Sequence, residues 1–435
     1  MRTQELPNMR ILFLTPGTGS FHCGTCMRDN TLALALRRKG HDAVMVPLYL
    51  QPTLDEPSAA EGSPLFMGGV NVYLHQVLPW WRHLPRAVTR WMDHPKALEA
   101  AAKRAGMTQA RDLGALTLSM LLGESGKQAP LLDELARWIE TVGRPDWIVL
   151  SNVLLVGLAK EIAARSGARI ACTLHGEDTF LDALPARDRD ACWSAVRDRF
   201  DTVHRWVAVS AYHADLMAER IGVSRNRIEV VHNGIDLEGY ERPATFDGPP
   251  TIGYLARMCP PKGLEALIDG YLELRRRDRV PDVRLRIIGA CTPADTEFVE
   301  RQMARLLDAG LLECAELHPN VDRAAKIALL RQCTLLSVPA TYGESFGLYL
   351  LEALAAGVPV VQPRHAAFPE ILTATGGGVL VPAGDPAALA SAWEELLAQP
   401  ERAADLGRQG RDTVHARFSA DAMAERFLET LELDQ

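Results

Sequence analysis

Short hydrophobic runs alternate along the chain with longer stretches whose apolar positions recur at the period of a helix. The short runs, rich in β-branched residues, predict buried strands, and the amphipathic stretches predict helices between them. This alternation is typical of a parallel sheet covered by helices. In the first half, the predicted strands are Arg10 to Leu14, Ala43 to Leu48, Trp147 to Leu150, Ile170 to Leu174 and Trp206 to Val209, with helices such as Arg28 to Lys39 and Leu155 to Arg165.

The same pattern restarts in the second half of the chain. Its predicted strands are Thr251 to Leu255, Val283 to Ile288, Leu335 to Pro339 and Val358 to Gln362. Between the halves, the stretch from Asp236 to Pro250 is rich in proline and lacks periodicity, which predicts an interdomain linker. We therefore expect an α/β protein of two Rossmann-like, doubly wound domains, residues 1–241 and 242–419, facing a central cleft, with a helix at 420–435 packing back on the first domain.

Residues 51–145 interrupt this rhythm. They are far longer than an ordinary connection between a strand and a helix, begin with an acidic, proline-rich stretch and then become helical in character. We expect a helical insertion in the first domain that contributes to specificity.

Composition and charge narrow the function classes. The 435 residues are 47% hydrophobic and 23% charged, enough to bury more than one core. A net charge of -8 gives no overall positive field for a phosphate backbone, which argues against nucleic acid as the main partner. No apolar run reaches the roughly 20 residues of a bilayer span, and the polar first ten or so residues do not resemble a secretory signal. We expect a cytoplasmic protein.

A glycine-containing loop follows the first predicted strand and includes Gly17, Gly19 and Gly24. Its spacing is not that of a dinucleotide-binding fingerprint, and no acidic residue ends the second strand, which disfavours a nicotinamide-dependent dehydrogenase. Its backbone N–H groups can instead face an anion or a hydroxylated substrate at the start of the next helix. A plain tight turn is the alternative.

Cys23 and Cys26 form a CxxC pair in the same loop. A helix N-terminus can stabilise a thiolate, whereas a structural zinc site needs four ligands and this pair supplies two. Packing of the loop and redox or metal chemistry both remain open, and we predict no metal site. The eight cysteines are scattered along the chain, which indicates reduced thiols and no disulfide framework.

Two cations stand in the second half between a strand and a helix, in the segment Gly253-Tyr-Leu-Ala-Arg257-Met-Cys-Pro-Pro-Lys262-Gly263. Because both follow the strand directly and precede a helix starting near Gly263, they can converge on a diphosphate at that helix N-terminus. The alternative is that both are simply solvated at the surface.

Two carboxylates follow in the segment from Glu344 to Pro359. Glu344 and Glu352 are eight residues apart, so on one helix they would stand about 12 Å apart along the axis with an angular offset of about 80°. That is about the length of a nucleotide sugar, so Glu344 could meet the sugar hydroxyls and Glu352 the ribose. Backbone groups expected to face the phosphate or sugar belong to Ser345, Phe346, Gly347 and Leu348.

At these residues the chain resembles family 4 of the retaining glycosyltransferases, which have the GT-B fold. The resemblance covers the second domain almost completely and the first more loosely, through Thr173 to Gly176, Ser210 and His232 to Asp236. It implies a nucleoside diphosphate sugar bound mainly by the second domain, an acceptor bound mainly by the first, transfer with retention of anomeric configuration, and no obligatory metal or cofactor.

The resemblance also implies roles for individual residues. Arg257 and Lys262 would stabilise the departing diphosphate, Glu344 would bind the donor sugar and Glu352 the ribose, and His175 would stand near the transferred sugar. The loop from Gly17 to Gly24 would lie near the diphosphate and the acceptor. The departing phosphate oxygen would take the acceptor's proton, which agrees with the lack of a G-x-S-x-G nucleophile motif.

The chain departs from the family pattern in two places. It has Ala340-Thr341-Tyr342-Gly343 where small, proline or serine residues are frequent, and Ala366-Ala367-Phe368 where two glycines are usual. These departures concern the sugar and the base of the donor and not the fold.

The segment from Phe66 to Tyr73 is similar to a glycine-containing segment of glycogen and starch synthases. From this segment we expect Gly69 and Asn71 to contact the sugar acceptor, as we expect of Gly24 in the loop after the first strand. An α-glucan synthase-like polymerase is therefore one alternative. Others are a nucleotide-sugar epimerase or a phosphorylase on the same fold, and a non-catalytic protein that binds sugar nucleotides.

The stretch 79–111 combines Trp80, Trp81 and Trp91 with seven basic and two acidic residues. Aromatic residues among basic ones suit a membrane surface or an anionic acceptor, so a peripheral contact at the inner membrane face is one interpretation. An amphipathic helical pair with inward-packed tryptophans is the other.

Overall fold

The structure is a computed structural model that describes residues 8–17, 24–78, 80–81, 84, 110–240 and 248–433. It divides into two units. Unit 1 comprises Met1–Val231 and Ala424–Gln435, and unit 2 comprises His232–Met423. The change of unit therefore falls at residues 231–232, and the expected boundary near residue 242 lies outside the described residues.

Each unit is built on a six-stranded sheet, ordered β2-β1-β3-β4-β5-β6 in unit 1 and β12-β11-β10-β7-β8-β9 in unit 2. Every strand pair that the structure describes is parallel. The strands are β1 Arg10–Thr15, β2 Asp42–Pro47, β3 Trp147–Leu150, β4 Arg169–Leu174, β5 Arg205–Ala208, β6 Ile228–Val230, β7 Thr251–Leu255, β8 Arg284–Gly289, β9 Ala315–Pro319, β10 Leu335–Leu336, β11 Val360–Pro363 and β12 Gly378–Val381.

Helices connect these strands, as parallel pairing requires. The described helices are α1 Gly24–Arg38, α2 Gly69–Val77, α3 Ala110–Leu121, α4 Ala129–Thr141, α5 Ala159–Ser166, α6 Glu177–Asp182, α7 Ala186–Asp198, α8 Ala211–Ile221, α9 Leu264–Arg277, α10 Thr296–Asp308, α11 Arg323–Leu330, α12 Leu348–Ala355, α13 Phe368–Thr375, α14 Pro386–Leu397, α15 Pro400–Arg417 and α16 Ala420–Glu432. Among these, no helix is long and apolar enough to cross a membrane.

Interior strands form the core of both sheets. All four residues of β3 and all five of β7 are buried, as expected for strands covered on both faces. In unit 1 the register aligns Ile11 with Ala43 on one side and with Trp147 on the other. The chain's last helix, α16, adds Phe427, whose ring stacks 6.3 Å from that of Phe13.

The expected architecture of Rossmann-like α/β domains is confirmed, but the hydrophobic pattern did not predict three of the strands. These are β6, β9 and β12, and all three lie at a sheet edge. Most of their residues are only half-buried. β6 and β9 contain polar residues and so lack the continuous apolar run that identifies the interior strands, whereas β12 is apolar but has only one buried residue.

Candidate functional site

In unit 2, one buried hydroxyl organises the loop that carries the two predicted phosphate-binding cations. Tyr254, fully buried in β7, places its Oη 3.1 Å from the carbonyl oxygen of Arg257 and 3.3 Å from that of Lys262. A phenolic O–H buried in a core needs such acceptors. The backbone positions of both cations therefore depend on the same side chain, which the sequence motif does not reveal.

Gly263 ends this loop with a backbone that only glycine adopts easily. Its φ is +74°, and a Cβ there would lie 1.9 Å from the carbonyl oxygen of Pro339. The N–H of Thr341 also donates to the carbonyl of Pro261 at 3.0 Å. The loop is thus held against the segment that follows β10 and leads to Glu344.

Lys262 and Glu344 form a close ion pair in this unit. The Lys262 Nζ lies 2.5 Å from Oε2 of Glu344 and donates to the hydroxyl of Tyr342 at 2.5 Å. The hydroxyl of Tyr349 donates to the same Glu344 oxygen at 3.1 Å. Only 9% of the Glu344 side chain and 23% of the Lys262 side chain are exposed. The carboxylate predicted for the sugar and the ammonium predicted for the diphosphate therefore neutralise each other here.

Arg257 has its own carboxylate partner, which the sequence did not indicate. Its Nε and Nη2 each lie 3.0 Å from one oxygen of Asp295, in the two-pronged geometry that fits a guanidinium. Asp295 also accepts from the N–H and the hydroxyl of Thr292. Burial raises the pKa of Asp295, but the hydrogen bonds from Arg257 and Thr292 outweigh it, and the pKa lies below its usual value.

The expectation that Glu344 and Glu352 share one helix is wrong. Helix α12 begins at Leu348, after Gly347 with a φ of +90°, so Glu344 lies in the preceding loop and the helical spacing between the carboxylates does not apply. Glu352 lies within α12, and the Nζ of Lys326 on α11 is 2.6 Å from its Oε1. Gly347 breaks the helical path because its left-handed backbone cannot continue a right-handed helix.

The start of α12 offers backbone N–H groups to an anion, because a helix N-terminus carries partial positive charge. Ser345 and Phe346 are buried, and Leu348 is the first helical residue. The main chain of Glu344 is fixed by the N–H of Ala367, which donates to its carbonyl oxygen at 3.2 Å. The main chain of Glu344 is thus held by the residue that precedes α13.

In unit 1, Gly17 follows β1 at a close backbone crossing. Its φ is +72°, and a Cβ there would lie 1.6 Å from the carbonyl oxygen of Leu50. Gly24 is the exposed first residue of α1. Cys26 is buried, with its Sγ 3.4 Å from the Thr15 hydroxyl. Gly19 and Cys23 lie outside the described residues.

His175 lies directly after β4, with Nε2 3.1 Å from the hydroxyl of Thr173. Oε2 of Glu177 accepts the backbone N–H groups of His175 and Gly176, both at 2.9 Å. Burial lowers the pKa of His175 to about 3, and the positive charge of Arg28 adds to this effect. His175 is therefore neutral at physiological pH.

Arg28 and Asp29 form a fully buried ion pair on α1, with Nη1 2.9 Å from Oδ1. Neither residue stands in a motif that predicts a functional site. A signal was present, because Arg28 falls on the same helical face as the buried Leu32 and Leu36, four and eight residues later.

The residues suggested by the synthase-like segment lie on α2. Gly69 begins that helix, and its N–H donates to the carbonyl of Tyr49 at 3.1 Å. Asn71 is fully buried, and its Oδ1 accepts the indole N–H of Trp81 at 3.0 Å. The Asn71 amide oxygen thus supports the local fold, and a contact between Asn71 and the sugar acceptor stays a prediction.

Trp81 is half-buried, whereas Trp80 is 57% exposed. Most of the stretch 79–111, including Trp91, lies outside the described residues. In the part of the chain that the structure does describe, His, Cys, Asp and Glu side chains form no group of three or more that could hold a metal ion.

Two protein-family models match the chain. The model for Glycosyltransferase Family 4 matches residues 67–238, and the model for Glycosyl transferases group 1 matches residues 240–413.

Several known proteins are similar in sequence. A phosphatidyl-myo-inositol mannosyltransferase of Mycobacterium leprae is 36% identical over 175 residues, which are 38% of this chain and 43% of that protein. A D-inositol 3-phosphate glycosyltransferase of Nocardia farcinica is 30% identical over 236 residues, 52% of each chain. The matched region thus spans about half the length of these two relatives. A GDP-mannose-dependent alpha-(1-6)-phosphatidylinositol monomannoside mannosyltransferase of Mycolicibacterium smegmatis is 30% identical over 274 residues, 59% of this chain and 68% of that protein.

Solved structures resemble the chain along nearly its whole length. A sucrose-phosphate synthase from Thermosynechococcus elongatus has a TM-score of 0.71 at 17% identity and covers 98% of both chains. Anabaena HepE in complex with UDP and glucose has a TM-score of 0.66 at 17% identity, covering 98% of this chain and 99% of the other. At such low identity, these likenesses concern the fold alone.

Proposed function

The chain belongs to glycosyltransferase family 4 and has the GT-B fold, and on that basis we propose that it transfers a sugar from a nucleoside diphosphate sugar to a hydroxyl acceptor, with retention of anomeric configuration. The donor is bound by unit 2. The single observation that best supports this is the Lys262–Glu344 pair, 2.5 Å apart and mostly buried, beside the start of α12.

The charges of this group suit the two ends of such a donor. A diphosphate can replace Glu344 as the partner of Lys262 and interact with Arg257 and the N-terminus of α12. Glu344, once released, can accept hydrogen bonds from sugar hydroxyls. Glu352, on α12, is the residue that we propose for the ribose hydroxyls.

The proposed reaction forms a bond between the acceptor oxygen and the anomeric carbon while the bond from that carbon to the phosphate oxygen breaks. The acceptor's hydroxyl proton passes to the departing phosphate oxygen. Lys262 and Arg257 stabilise the negative charge that develops on the diphosphate, where preorganised positive groups are most effective. The proposed reaction requires neither an enzymic nucleophile nor a metal.

For the acceptor we propose a cyclitol hydroxyl. The names of the relatives specify phosphatidylinositol, a phosphatidylinositol mannoside and D-inositol 3-phosphate. The chemistry that these acceptors share is the inositol ring, either free as a phosphate or attached to a lipid.

A screen tests this proposal. UDP-, GDP- and ADP-sugars are combined with myo-inositol, inositol 3-phosphate or phosphatidylinositol vesicles, and both the nucleoside diphosphate and the glycoside product are measured. We expect an acceptor-dependent glycoside whose formation falls at least about tenfold, or about 1.4 kcal/mol, in Glu344→Ala and in Lys262→Ala. Release of free sugar, or of a sugar phosphate in the presence of phosphate, would instead indicate an epimerase or a phosphorylase.

A matched lysine controls for the loss of a surface charge. Lys160 also pairs with a glutamate, Glu124, at 2.9 Å, but it is 64% exposed and lies on α5 in unit 1. Lys160→Ala should transfer at the wild-type rate. If Lys262→Ala and Lys160→Ala behave alike, the proposed donor site is wrong.

We further propose that the first unit contacts an anionic membrane surface at the inner face of the membrane. Tyr73, Val77 and Trp80 are 48%, 45% and 57% exposed and follow one another at spacings of four and three residues. Flotation with phosphatidylinositol vesicles should show binding that weakens with salt and is reduced in Trp80→Ser. Equal flotation with neutral and anionic vesicles, or no flotation with either, would refute a contact with an anionic membrane.

A further inference from the structure

Thr173 connects the ring of His175 to the end of the neighbouring strand. Its hydroxyl lies 3.3 Å from the carbonyl oxygen of Leu150 and 3.1 Å from Nε2 of His175. A carbonyl oxygen can only accept a hydrogen bond, so the hydroxyl proton of Thr173 is directed to Leu150. The Thr173 oxygen then accepts from His175, and Nε2 is the ring nitrogen that carries the hydrogen.

Burial is the main reason that this ring is neutral, because it lowers the pKa of His175 more than any nearby charge does. The positive charge of Arg28, which lies in the buried ion pair with Asp29, and His213 lower the pKa further, whereas Glu177 raises it. In a neutral imidazole with the hydrogen on Nε2, Nδ1 is a bare acceptor. No described residue forms a hydrogen bond to His175 Nδ1.

The main chain of His175 is fixed as firmly as its ring. Glu177 is 7% exposed, and one of its oxygens accepts two consecutive N–H groups, from His175 and Gly176. Gly176 has a φ of +149°, so the turn after β4 has an unusual backbone that this carboxylate closes. The position of Nδ1 is therefore set from both the main chain and the side chain.

We propose that Thr173 is a positioning residue that selects the tautomer of His175, so that His175 recognises its ligand through Nδ1 as a hydrogen-bond acceptor. The group that it binds must then donate a hydrogen. A sugar or cyclitol hydroxyl does so, whereas an ionised phosphate or carboxylate oxygen does not. This specificity rests on the proposed function, with His175 near the transferred sugar as the family resemblance implies.

Nitrogen NMR of the full-length chain, labelled with ¹⁵N-histidine, tests the tautomer without any substrate. His175→Asn assigns the signals by their disappearance. We expect Nε2 protonated, Nδ1 unprotonated, and no titration between about pH 5 and pH 8, the range in which an ordinary histidine titrates. A proton on Nδ1, or titration in this range, would overturn the inference.

Two substitutions at position 173 link the tautomer to recognition. Thr173→Val keeps the branched shape and strand preference but removes the hydroxyl, and Thr173→Ser restores it. Valine should change the nitrogen signals of His175 and lower kcat/KM about tenfold, and serine should return both toward wild type. Unchanged thermal unfolding of the valine variant shows that the fold is retained. If valine leaves signals and kinetics unchanged, the inference is wrong.

Deoxy substrates identify the hydroxyl that is recognised. Each hydroxyl of the best donor and acceptor from the screen is replaced in turn by hydrogen. One replacement should cost wild type about tenfold in kcat/KM but cost Thr173→Val less than about threefold, because the shared interaction is already lost. If every deoxy substrate lowers kcat/KM of wild type and of Thr173→Val by the same factor, recognition by Nδ1 is refuted, whereas the proposed glycosyl transfer is not. If wild type transfers nothing, the proposed function fails and the NMR result alone decides the tautomer.

Discussion

Replacing Glu344 by Gln should strengthen the binding of a nucleoside diphosphate while it slows sugar transfer. In the structure Glu344 is the ion-pair partner of Lys262, the residue proposed to bind the diphosphate, with its Oε2 2.5 Å from the Lys262 Nζ. The intact donor compensates for breaking this ion pair, because its diphosphate pairs with Lys262 and its sugar hydroxyls donate hydrogen bonds to Glu344. The product, a nucleoside diphosphate without the sugar, pairs with Lys262 only. It leaves the buried Glu344 carboxylate without its cation, which costs free energy.

The size of the effect follows from the geometry. A phosphate charge that replaces Glu344 at Lys262 would lie about 5 Å from that carboxylate, a repulsion of about 3 kcal/mol at an effective dielectric constant of about 20. Lys262 remains 23% exposed, and the hydroxyl of Tyr349 still donates to Glu344, so part of this is screened or compensated. We therefore expect Glu344→Gln to bind the diphosphate about tenfold more tightly, a gain of about 1.4 kcal/mol.

Isothermal titration with UDP and with GDP measures this directly. Glu352→Gln is the matched control, because Glu352 also pairs with a lysine, Lys326, at 2.6 Å, but is proposed to contact the ribose present in both donor and product. That variant should bind the diphosphate more weakly. Weaker or unchanged diphosphate binding by Glu344→Gln would refute the competition between Glu344 and the diphosphate for Lys262.

Three further predictions concern the scaffold of the donor site. Ala366 has a φ of +51°, so Ala366→Gly should relieve strain and raise the thermal midpoint by about 1 to 3 °C; a lower midpoint would count against strain at that position. Gly263→Ala should destabilise by more than about 2 kcal/mol in urea unfolding, because φ is +74° and the new Cβ meets a carbonyl oxygen at 1.9 Å, whereas Gly310→Ala, with φ +70° and open space, should lose about 1 kcal/mol. The lowered pKa of Asp295 means that its ionised form stabilises the fold above its unfolded-state pKa of about 3.9, and that this contribution is lost as pH falls through the folded pKa. The stability gap between wild type and Asp295→Asn should therefore be constant above about pH 5 and shrink below about pH 4; a gap that widens with acid would contradict this.

The hydrophobic pattern was sufficient to detect the interior strands of each sheet, because strands covered on both faces are largely apolar. Thr251–Leu255 and Trp147–Leu150 were predicted with the bounds that the structure has. Edge strands such as Ala315–Pro319 were not, since their half-exposed positions carry polar residues. A short strand such as Leu335–Leu336 was overextended because the apolar residues after it are buried without pairing to a neighbour.

The candidate site was predictable where chemistry lies in consecutive residues and not where it depends on distant partners. The motifs indicated Lys262 and Glu344, but not that they pair across 82 positions of sequence. Asp295, 38 positions from Arg257, stands in an ordinary helix-start context and gave no signal. The left-handed backbone of Gly347 also places Glu344 in the loop before α12, and the spacing of residues along the sequence does not reveal such a conformation.

A crystal structure with the preferred donor, identified by the screen, is the decisive test of the donor site proposed in unit 2. We predict diphosphate oxygens within hydrogen-bonding distance of the Lys262 ammonium and the Arg257 guanidinium, with the Glu344 carboxylate turned from Lys262 to a sugar hydroxyl. A donor bound elsewhere, or a bound donor that leaves the Lys262–Glu344 pair at its present 2.5 Å, would contradict this donor site.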